Sequence, residues 1–311
     1  MPGTPPSPLR VHLALITVSL LFGANYVFTK WIVGPVPAGA WVLFRIAAAT
    51  AVMVPLALAL RARPTVWPRG RTWTGLAVAA FFGVALNQVL FTEGIARTTP
   101  EHSAVVNACI PTWTLLVAVA AGQERQSGAR VLAIAIALAG VGCLLGADRL
   151  LLGGAAVAPH ATSSSASVLG DLLTMANGIA FAIHLVLMRR IGRDVDPWLA
   201  TAALFVFGTP MIALWSAPHV SAADASAVLA APIVWFAIYA VLAATVLTYL
   251  LNTWALRHTH SSQVALYINV QPLVAAVLNG ALGAPPPGHR FFTALVLVAT
   301  GLWLQTRASR R

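Results

Sequence analysis

Long apolar runs, each about as long as a bilayer is thick, follow one another through the whole chain. A helix that crosses the hydrocarbon core needs about 20 consecutive apolar residues, and ten stretches of this kind can be marked in the sequence. Only 9% of the residues are charged, whereas an average soluble protein has about 25%. Because so few charges cannot cover a water-facing surface, the sequence predicts an all-α integral membrane protein.

Short polar breaks separate the ten predicted transmembrane helices. These helices span Val11–Val33, Ala38–Leu60, Thr72–Ala96, His102–Ala121, Arg130–Ala147, Leu169–Arg190, Trp198–Ala217, Ala231–Leu256, Ser262–Leu282 and Arg290–Thr306. Residues 150–168 are rich in Ala, Gly and Ser, a composition typical of a flexible linker. The chain is therefore predicted to consist of a first five-helix repeat (1–149), this linker and a second five-helix repeat (169–311).

The arginines of the polar breaks predict the orientation. With the N-terminus inside, the cytoplasmic segments hold 14 Lys and Arg residues and the outer segments hold 4. Positive residues are enriched in cytoplasmic loops, so both termini are expected in the cytoplasm. The net charge of +11 is spread over these breaks, which favours contact with anionic lipid and not with nucleic acid. The excess of Arg over Lys suggests a GC-rich bacterial genome, so the expected location is the bacterial plasma (inner) membrane.

The second half repeats the pattern of the first half at an offset of 161 residues. The matches include a proline inside a helix and the glycines near helix ends, namely Pro111 with Pro272, Gly122 with Gly283 and Gly140 with Gly301. Because five is odd, two such halves enter the membrane in opposite senses. Inverted repeats of this kind are frequent in secondary transporters, which bind the substrate near the bilayer midplane between the repeats.

Polar side chains inside the apolar runs are the candidates for function, because they are expensive in hydrocarbon and usually face the bundle interior. The candidate substrate-binding residues are Asn25, Arg45, Asn87, Glu93, Asn107, His184, Tyr249, Tyr267, Asn269 and Gln271. A wider interior set also includes Gln88, Asn177, Thr248, Asn252 and Asn279. Most members come from predicted helices 1, 3, 4, 6, 8 and 9, whereas helices 5 and 10 are almost purely apolar and are expected at the periphery.

Several candidates allow more than one interpretation. Pro111 and Pro272 remove a backbone donor in mid-helix, which indicates either a cavity wall or a simple packing kink. Glu93 can carry a proton or a cation, or form an ion pair with Arg97 one turn later. For Arg45 the alternatives are pairing with Glu93, binding a substrate carboxylate, or snorkelling towards the membrane surface.

The other candidates have plainer alternatives too. His184 can titrate near neutral pH or only hydrogen-bond to a neighbour, and the two tyrosines can serve as packing or interfacial anchors. No P-loop, HExxH or GxSxG motif is present, so neither an enzyme nor a cofactor or metal is expected. Cys109 and Cys143 lie inside apolar runs, and the GxxxG of Gly142–Gly146 suggests a possible homodimer face.

Two stretches resemble the EamA-type module of the drug/metabolite transporter superfamily. They read GIARTTPEHSAVVNACIPTWTLLVAVAAGQER in the first half and WALRHTHSSQVALYINVQPLVAAVLNGALG in the second, and LLFGANYVFTK and Phe44–Arg45 are also similar to this family. The resemblance implies ten helices, cytoplasmic termini, and export or exchange of small metabolites through a central cavity. The family's acidic residue after helix 4 is Glu124, but its second-half counterpart is Pro285, which departs from the pattern.

The expected function is thus a secondary transporter, and specifically an exporter. Its substrates would be small metabolites such as amino acids or related amphipathic compounds. The alternative is a non-transport membrane protein, either a lipid scramblase or a membrane enzyme.

Overall fold

A computed structural model describes residues 8–61, 67–124, 127–145, 167–192 and 195–309. Over these residues the secondary structure is helical, with no strand. Most of the predicted linker, and Gly146 of the GxxxG motif, lie outside them.

Ten long helices account for nearly all of the described chain. They are α1 (Pro8–Ile32), α2 (Ala38–Leu60), α3 (Arg71–Arg97), α4 (Pro100–Ala120), α5 (Gly128–Leu145), α6 (Val168–Ile191), α7 (Pro197–Ser216), α8 (Ile233–His258), α9 (Ser261–Ala281) and α10 (His289–Ser309). Their ends differ from the predicted ends by at most three residues. A short helix, Ala222–Leu229, precedes α8 and was not predicted.

Eight of these helices, within the described ranges, are long and apolar enough to cross a membrane. The other two, α5 and α10, are apolar over shorter stretches, Val131–Cys143 and His289–Gly301. The chain is therefore a multi-pass integral membrane protein.

The two halves share the same local departures from regular helix. A π-helical turn interrupts α3 at Phe81–Leu86, and another interrupts α8 at Leu242–Leu247, 161 residues later. Gly122 follows α4 with a φ of 69°, and Gly283 follows α9 with a φ of 87°, a conformation that costs glycine little. The offset read from the sequence is thus also the offset between matching backbone features.

The prolines of α4 and α9 both follow a break in the helix. In α4 the α-helical pieces are Pro100–Asn107 and Ile110–Ala120, and in α9 a 3₁₀ turn occupies Tyr267–Val270. Pro111 and Pro272 are each the second residue of the α-helical piece that follows. In the first turn of a helix the missing N–H of proline leaves no carbonyl without its partner. Each proline therefore fits at the start of the helical piece that follows the break.

Helices α5 and α10 pack closely against each other through small residues. A Cβ on Gly140 would lie 3.0 Å from the carbonyl oxygen of Ala294, and a Cβ on Gly301 would lie 2.6 Å from that of Ala133. Small residues allow such an approach of two backbones. Since Ala133 meets the later part of α10 and Gly140 the earlier part, the two helices run antiparallel.

Helices α3 and α6 form a second close antiparallel pair. A Cβ on Gly170 would lie 2.7 Å from the backbone carbon of Arg97, and a Cβ on Gly94 would lie 3.1 Å from the carbonyl oxygen of Gly170. Farther along, the side-chain amides of Asn87 and Asn177 each donate to the other's carbonyl oxygen, at 3.3 and 3.0 Å.

A basic residue near the end of the first helix in each half donates to the end of the third. Lys30 Nζ donates to the carbonyl oxygens of Ile95 and Ala96, both at 3.1 Å, and Arg189 donates to that of Leu256 at 2.7 Å. Such bonds satisfy carbonyls that the helix itself leaves free. The end of α3 thus lies beside the end of α1 and also beside the start of α6. This end of the bundle contains Asp171 and is called the Asp171 end. The opposite end, where α1 begins, contains His12 and is called the His12 end.

Candidate functional site

A polar and aromatic cavity lies between the two halves of the bundle. Helices α1, α2, α3, α4, α6, α8 and α9 supply its walls, which are formed by Phe22, Asn25, Tyr26, Arg45, Asn87, Gln88, Phe91, Asn107, Ile110, Asn177, Phe181, Tyr249, Ile268 and Gln271. The centre of a water molecule can occupy about 50 Å³ of this space, enough for roughly three to five waters.

The structure brings together six of the ten candidate residues named from the sequence. Those that line the cavity are Asn25, Arg45, Asn87, Asn107, Tyr249 and Gln271. Those that do not line it are Glu93, His184, Tyr267 and Asn269.

The helix breaks of α4 and α9 form one wall of the cavity. Asn107 and Ile110 flank the break in α4, and Ile268 and Gln271 lie at the break in α9; all four line the cavity. Asn107 Nδ2 donates to the hydroxyl of Tyr26 at 2.9 Å, and this hydroxyl donates to Gln271 Oε1 at 3.1 Å. A chain of hydrogen bonds therefore joins α4, α1 and α9 at the depth of both breaks.

Gln88 and Tyr249 occupy equivalent positions in the two halves, 161 residues apart, and contact each other. Gln88 Nε2 donates to the Tyr249 hydroxyl at 2.8 Å, and this hydroxyl donates to the carbonyl oxygen of Gly83 at 2.5 Å. Residues at equivalent positions of the two halves thus contact each other directly in the cavity wall.

Arg45 is held in the cavity wall by α8. Its side chain is buried, with the residue 1% exposed, which excludes snorkelling to the surface. Nε donates to Thr245 Oγ1 at 2.7 Å, and Nη2 donates to the carbonyl oxygen of Ala244 at 3.3 Å. Both acceptors belong to the π-helical turn of α8.

The π-helical turns of both halves supply a carbonyl to a side chain of the opposite half. Tyr249 donates to Gly83 in the turn of α3, and Arg45 donates to Ala244 in the turn of α8. Gly83 and Ala244 are equivalent residues at the offset of 161. π-Helical turns frequently occur at functional sites, and here the pair fixes the walls of the cavity across the halves.

Glu93 and His184 have partners away from the cavity. Glu93 forms an ion pair with Arg97 in the next turn of α3, and these side chains are 20% and 44% exposed. His184 Nδ1 donates to the carbonyl oxygen of Ala79 at 3.0 Å, and its ring packs directly over Gly83. The contact of Glu93 is the ion pair with Arg97 that the sequence offered as one alternative. The contact of His184 is a hydrogen bond to a neighbour, also one of the two alternatives.

Tyr267 and Asn269 also make contacts outside the cavity. The Tyr267 hydroxyl is hydrogen-bonded to His12 Nδ1, and its carbonyl oxygen accepts a bond from the Ser19 hydroxyl at 2.6 Å. Asn269 Nδ2 donates within its own turn, to the carbonyl oxygen of Leu266 at 2.8 Å. A second, smaller cavity beside Ser19 and Tyr267 lies between the central cavity and the His12 end.

The Asp171 end is closed by several polar contacts. Thr98 Oγ1 donates to Asp171 Oδ1 at 2.5 Å, and His102 Nδ1 lies 3.3 Å from Asp171 Oδ2. Nearby, Glu101 accepts a hydrogen bond from Asn279, which joins α4 to α9. The sequence interpretation singled out neither Asp171 nor Glu101 as part of such a closure.

Some lining residues were not among the candidate binding residues. Gln88 and Asn177 belong to the wider interior set, but Phe22, Tyr26, Phe91 and Phe181 were missed. Phe22 lies three residues before Asn25, and Phe91 lies four residues after Asn87. Because residues three or four apart share a helix face, this spacing is the signal that would have found them.

The chain belongs to the EamA-like transporter family, whose profile matches residues 9–146 and 168–307. The fold and the cavity thus belong to a transporter.

Two relatives with transporter names are similar over most of their length. One is the "Uncharacterized transporter YyaM" of Bacillus subtilis (strain 168), 25% identical over 285 residues that cover 89% of this chain and 87% of the relative. The other is an "Uncharacterized transporter" of Archaeoglobus fulgidus, 24% identical over 302 residues, 96% of this chain and 97% of the relative. A solved crystal structure superposes with a TM-score of 0.68 at 19% identity, covering 98% of this chain and 99% of its own, which shows the same fold.

Proposed function

We propose that this protein is a secondary transporter that exports small metabolites, such as amino acids or related amphipathic compounds, by alternating access. The substrate site would be the central cavity, between two inverted five-helix repeats that together cross the membrane ten times. The observation that carries the proposal is the composition of the cavity wall, to which both halves contribute polar side chains beside broken helices. Irregular backbone at membrane depth is tolerated where it lines a cavity.

The packing of equivalent helices supports the inverted arrangement. Helices α5 and α10 are equivalent, and they run antiparallel through the contacts of Gly140 and Gly301. The direct contact of the equivalent residues Gln88 and Tyr249 is consistent with it. Two equivalent halves with antiparallel equivalent helices insert in opposite senses, which suits a mechanism in which they rock about a central site.

The chemistry of the wall supports a small amphipathic substrate. Amide side chains offer donors and acceptors for polar groups, and the rings of Phe22, Phe91 and Phe181 offer apolar contact. A few convergent polar groups in a largely apolar pocket are typical of small-molecule sites.

Polar contacts at both ends of the bundle support alternating access. With the arginine-rich breaks inside, the Asp171 end faces outward and the His12 end faces the cytoplasm. The hydrogen bonds of Asp171 with Thr98 and His102 would break when the cavity opens outward, and the bond of His12 to Tyr267 would break when it opens inward. Both termini then lie in the cytoplasm of a bacterial cell, and the membrane is the plasma membrane.

Flux through the purified protein tests this proposal. We expect proteoliposomes that contain the full chain to move at least one solute of a panel of amino acids and related metabolites faster than empty liposomes. A dithionite assay with fluorescent phospholipids in the same vesicles measures lipid scrambling. If no solute moves, if none raises the thermal stability, and if lipid scrambling is fast, the transporter proposal is wrong and the scramblase alternative holds.

A further inference from the structure

We propose that Arg45 binds the carboxylate group of the transported solute, so that the substrates of this cavity are small carboxylate-bearing compounds. This inference rests on the proposed transport function, because only that function makes the bound ligand a transported solute. Arg45 would be the residue of the cavity that selects an anion.

The guanidinium of Arg45, a residue of the cavity wall, has a nitrogen without a hydrogen-bond partner among the described residues. Nε and Nη2 each donate to α8, to Thr245 and Ala244. Nη1 is buried and has no hydrogen-bond partner among the described residues, although Arg45 lines the cavity. A buried donor without a partner costs free energy, so the site favours a ligand that accepts from Nη1.

The positive charge of Arg45 is not balanced by an acidic side chain of the wall. None of the cavity-lining residues is Asp or Glu. Glu93, which the sequence offered as a partner of Arg45, is paired with Arg97 instead. Asp171 is bonded to Thr98 and His102 at one end of the bundle. An uncompensated buried charge is strongly unfavourable, and a bound anion would supply the missing charge.

Arginine is well suited to a carboxylate in such a place. Its planar N–H fork matches two carboxylate oxygens, and it stays charged when buried. The bonds to Thr245 and Ala244 hold the fork in one orientation, so the side chain loses little further conformational entropy when a ligand binds.

Three amide oxygens of cavity-lining residues also lack a hydrogen-bond donor. Asn25 Oδ1, Gln88 Oε1 and Asn107 Oδ1 are buried and have no hydrogen-bond partner among the described residues, and all three residues line the cavity. These oxygens accept N–H or O–H groups. The complementary solute therefore carries a carboxylate for Arg45 and at least one donor group, such as an ammonium or a hydroxyl, for the amide oxygens.

The test is a binding screen on the purified full-length protein in lipid nanodiscs. The probes are amino acids and 2-hydroxy acids, each beside its own carboxamide, with sodium chloride and sodium phosphate as separate arms. We expect at least one acid to raise the thermal midpoint while its carboxamide does not. Arg45→Gln should abolish this shift, and Arg45→Lys should keep the preference for acids with roughly tenfold to a hundredfold weaker apparent Kd.

The control is Arg97→Gln, which removes the same charge from an exposed position outside the cavity and should bind like the unmodified protein. Arg45→Lys keeps the test decisive if Arg45→Gln does not fold. The inference is overturned if carboxamides stabilise as well as acids, if no acid binds, or if Arg45→Lys binds acids with unchanged affinity. A shift that depends on Arg45 but appears only with chloride or phosphate overturns it as well, because Arg45 then holds an inorganic anion.

Flux separates the two proposals. If the unmodified protein carries solutes without a carboxylate while no acid binds to it, the anion site is wrong and the transport function stands. If acids bind in an Arg45-dependent manner but no solute crosses, the transport function is wrong and the binding site stands.

Discussion

Asn107→Leu is expected to reduce solute flux in proteoliposomes to the background of empty vesicles. Asn107 lies at the break of α4, lines the cavity and donates to Tyr26, and its own side-chain oxygen is buried without a partner among the described residues. Leucine has a similar size but offers neither donor nor acceptor, so the hydrogen-bond chain to Tyr26 and Gln271 loses its α4 member. Membrane insertion should not suffer, because leucine is favourable in hydrocarbon. Expression and the gel-filtration profile should therefore match the unmodified protein.

Asn269→Leu is the matched control for this substitution. It makes the same chemical change in α9, but Asn269 donates to Leu266 within its own turn and is not one of the residues that line the cavity. We expect its flux to stay within about twofold of the unmodified protein. Equal flux in Asn107→Leu would remove α4 from the substrate path.

Gly170→Val is expected to prevent closure of the Asp171 end and to stop the transport cycle. A Cβ at this position would lie 2.7 Å from the backbone carbon of Arg97 and 2.9 Å from the backbone nitrogen of Thr98. These are backbone atoms that cannot move aside singly, so the start of α6 must shift away from the end of α3. Overpacking of this kind typically costs about 1–3 kcal/mol, which is enough to reverse an equilibrium between two conformations of similar free energy.

The measurement combines flux with labelling of a cysteine introduced in the cavity wall as Ile110→Cys. Gly170→Val should lose flux and should react faster with a membrane-impermeant thiol reagent added from the side of the Asp171 end. Gly280→Val is the control, since no atom outside its own helix lies within 4 Å of a Cβ there, and it should leave both flux and labelling unchanged. A Gly170→Val protein with normal flux would show that this close contact is not part of the cycle.

The helices could be predicted from the sequence because the bilayer imposes their length. An apolar run of about 20 residues leaves little freedom in where a helix begins and ends, and the ends of the eight long apolar helices follow from it. The π-helical turns at Phe81–Leu86 and Leu242–Leu247 could not be predicted. Their residues are mostly apolar and carry no sequence signal for a π-helical turn. In the structure, side chains of the opposite half donate hydrogen bonds to their carbonyl oxygens.

The site could be predicted only in part, because burial alone does not say which way a polar residue faces. The first helices of the two halves match at an offset of 159 residues, which pairs Asn25 with His184. Asn25 nevertheless lines the cavity, whereas His184 is bonded to Ala79 and does not line it. For Arg45 the sequence left three alternatives open. Its partner Thr245 lies 200 residues away, and such a contact depends on how the halves pack and not on any local pattern.

The most direct test of the account is whether one residue of the cavity can be reached from both sides of the membrane. Ile110 lines the cavity beside the break of α4, so Ile110→Cys would be made in a protein in which Cys109 and Cys143 are replaced by alanine. The reagent would be an impermeant maleimide, added to either side of uniformly oriented proteoliposomes. Two inverted halves that rock about a central cavity predict labelling from each side, slowed by a bound substrate. Labelling from one side only, or from neither side while flux continues, would contradict the account.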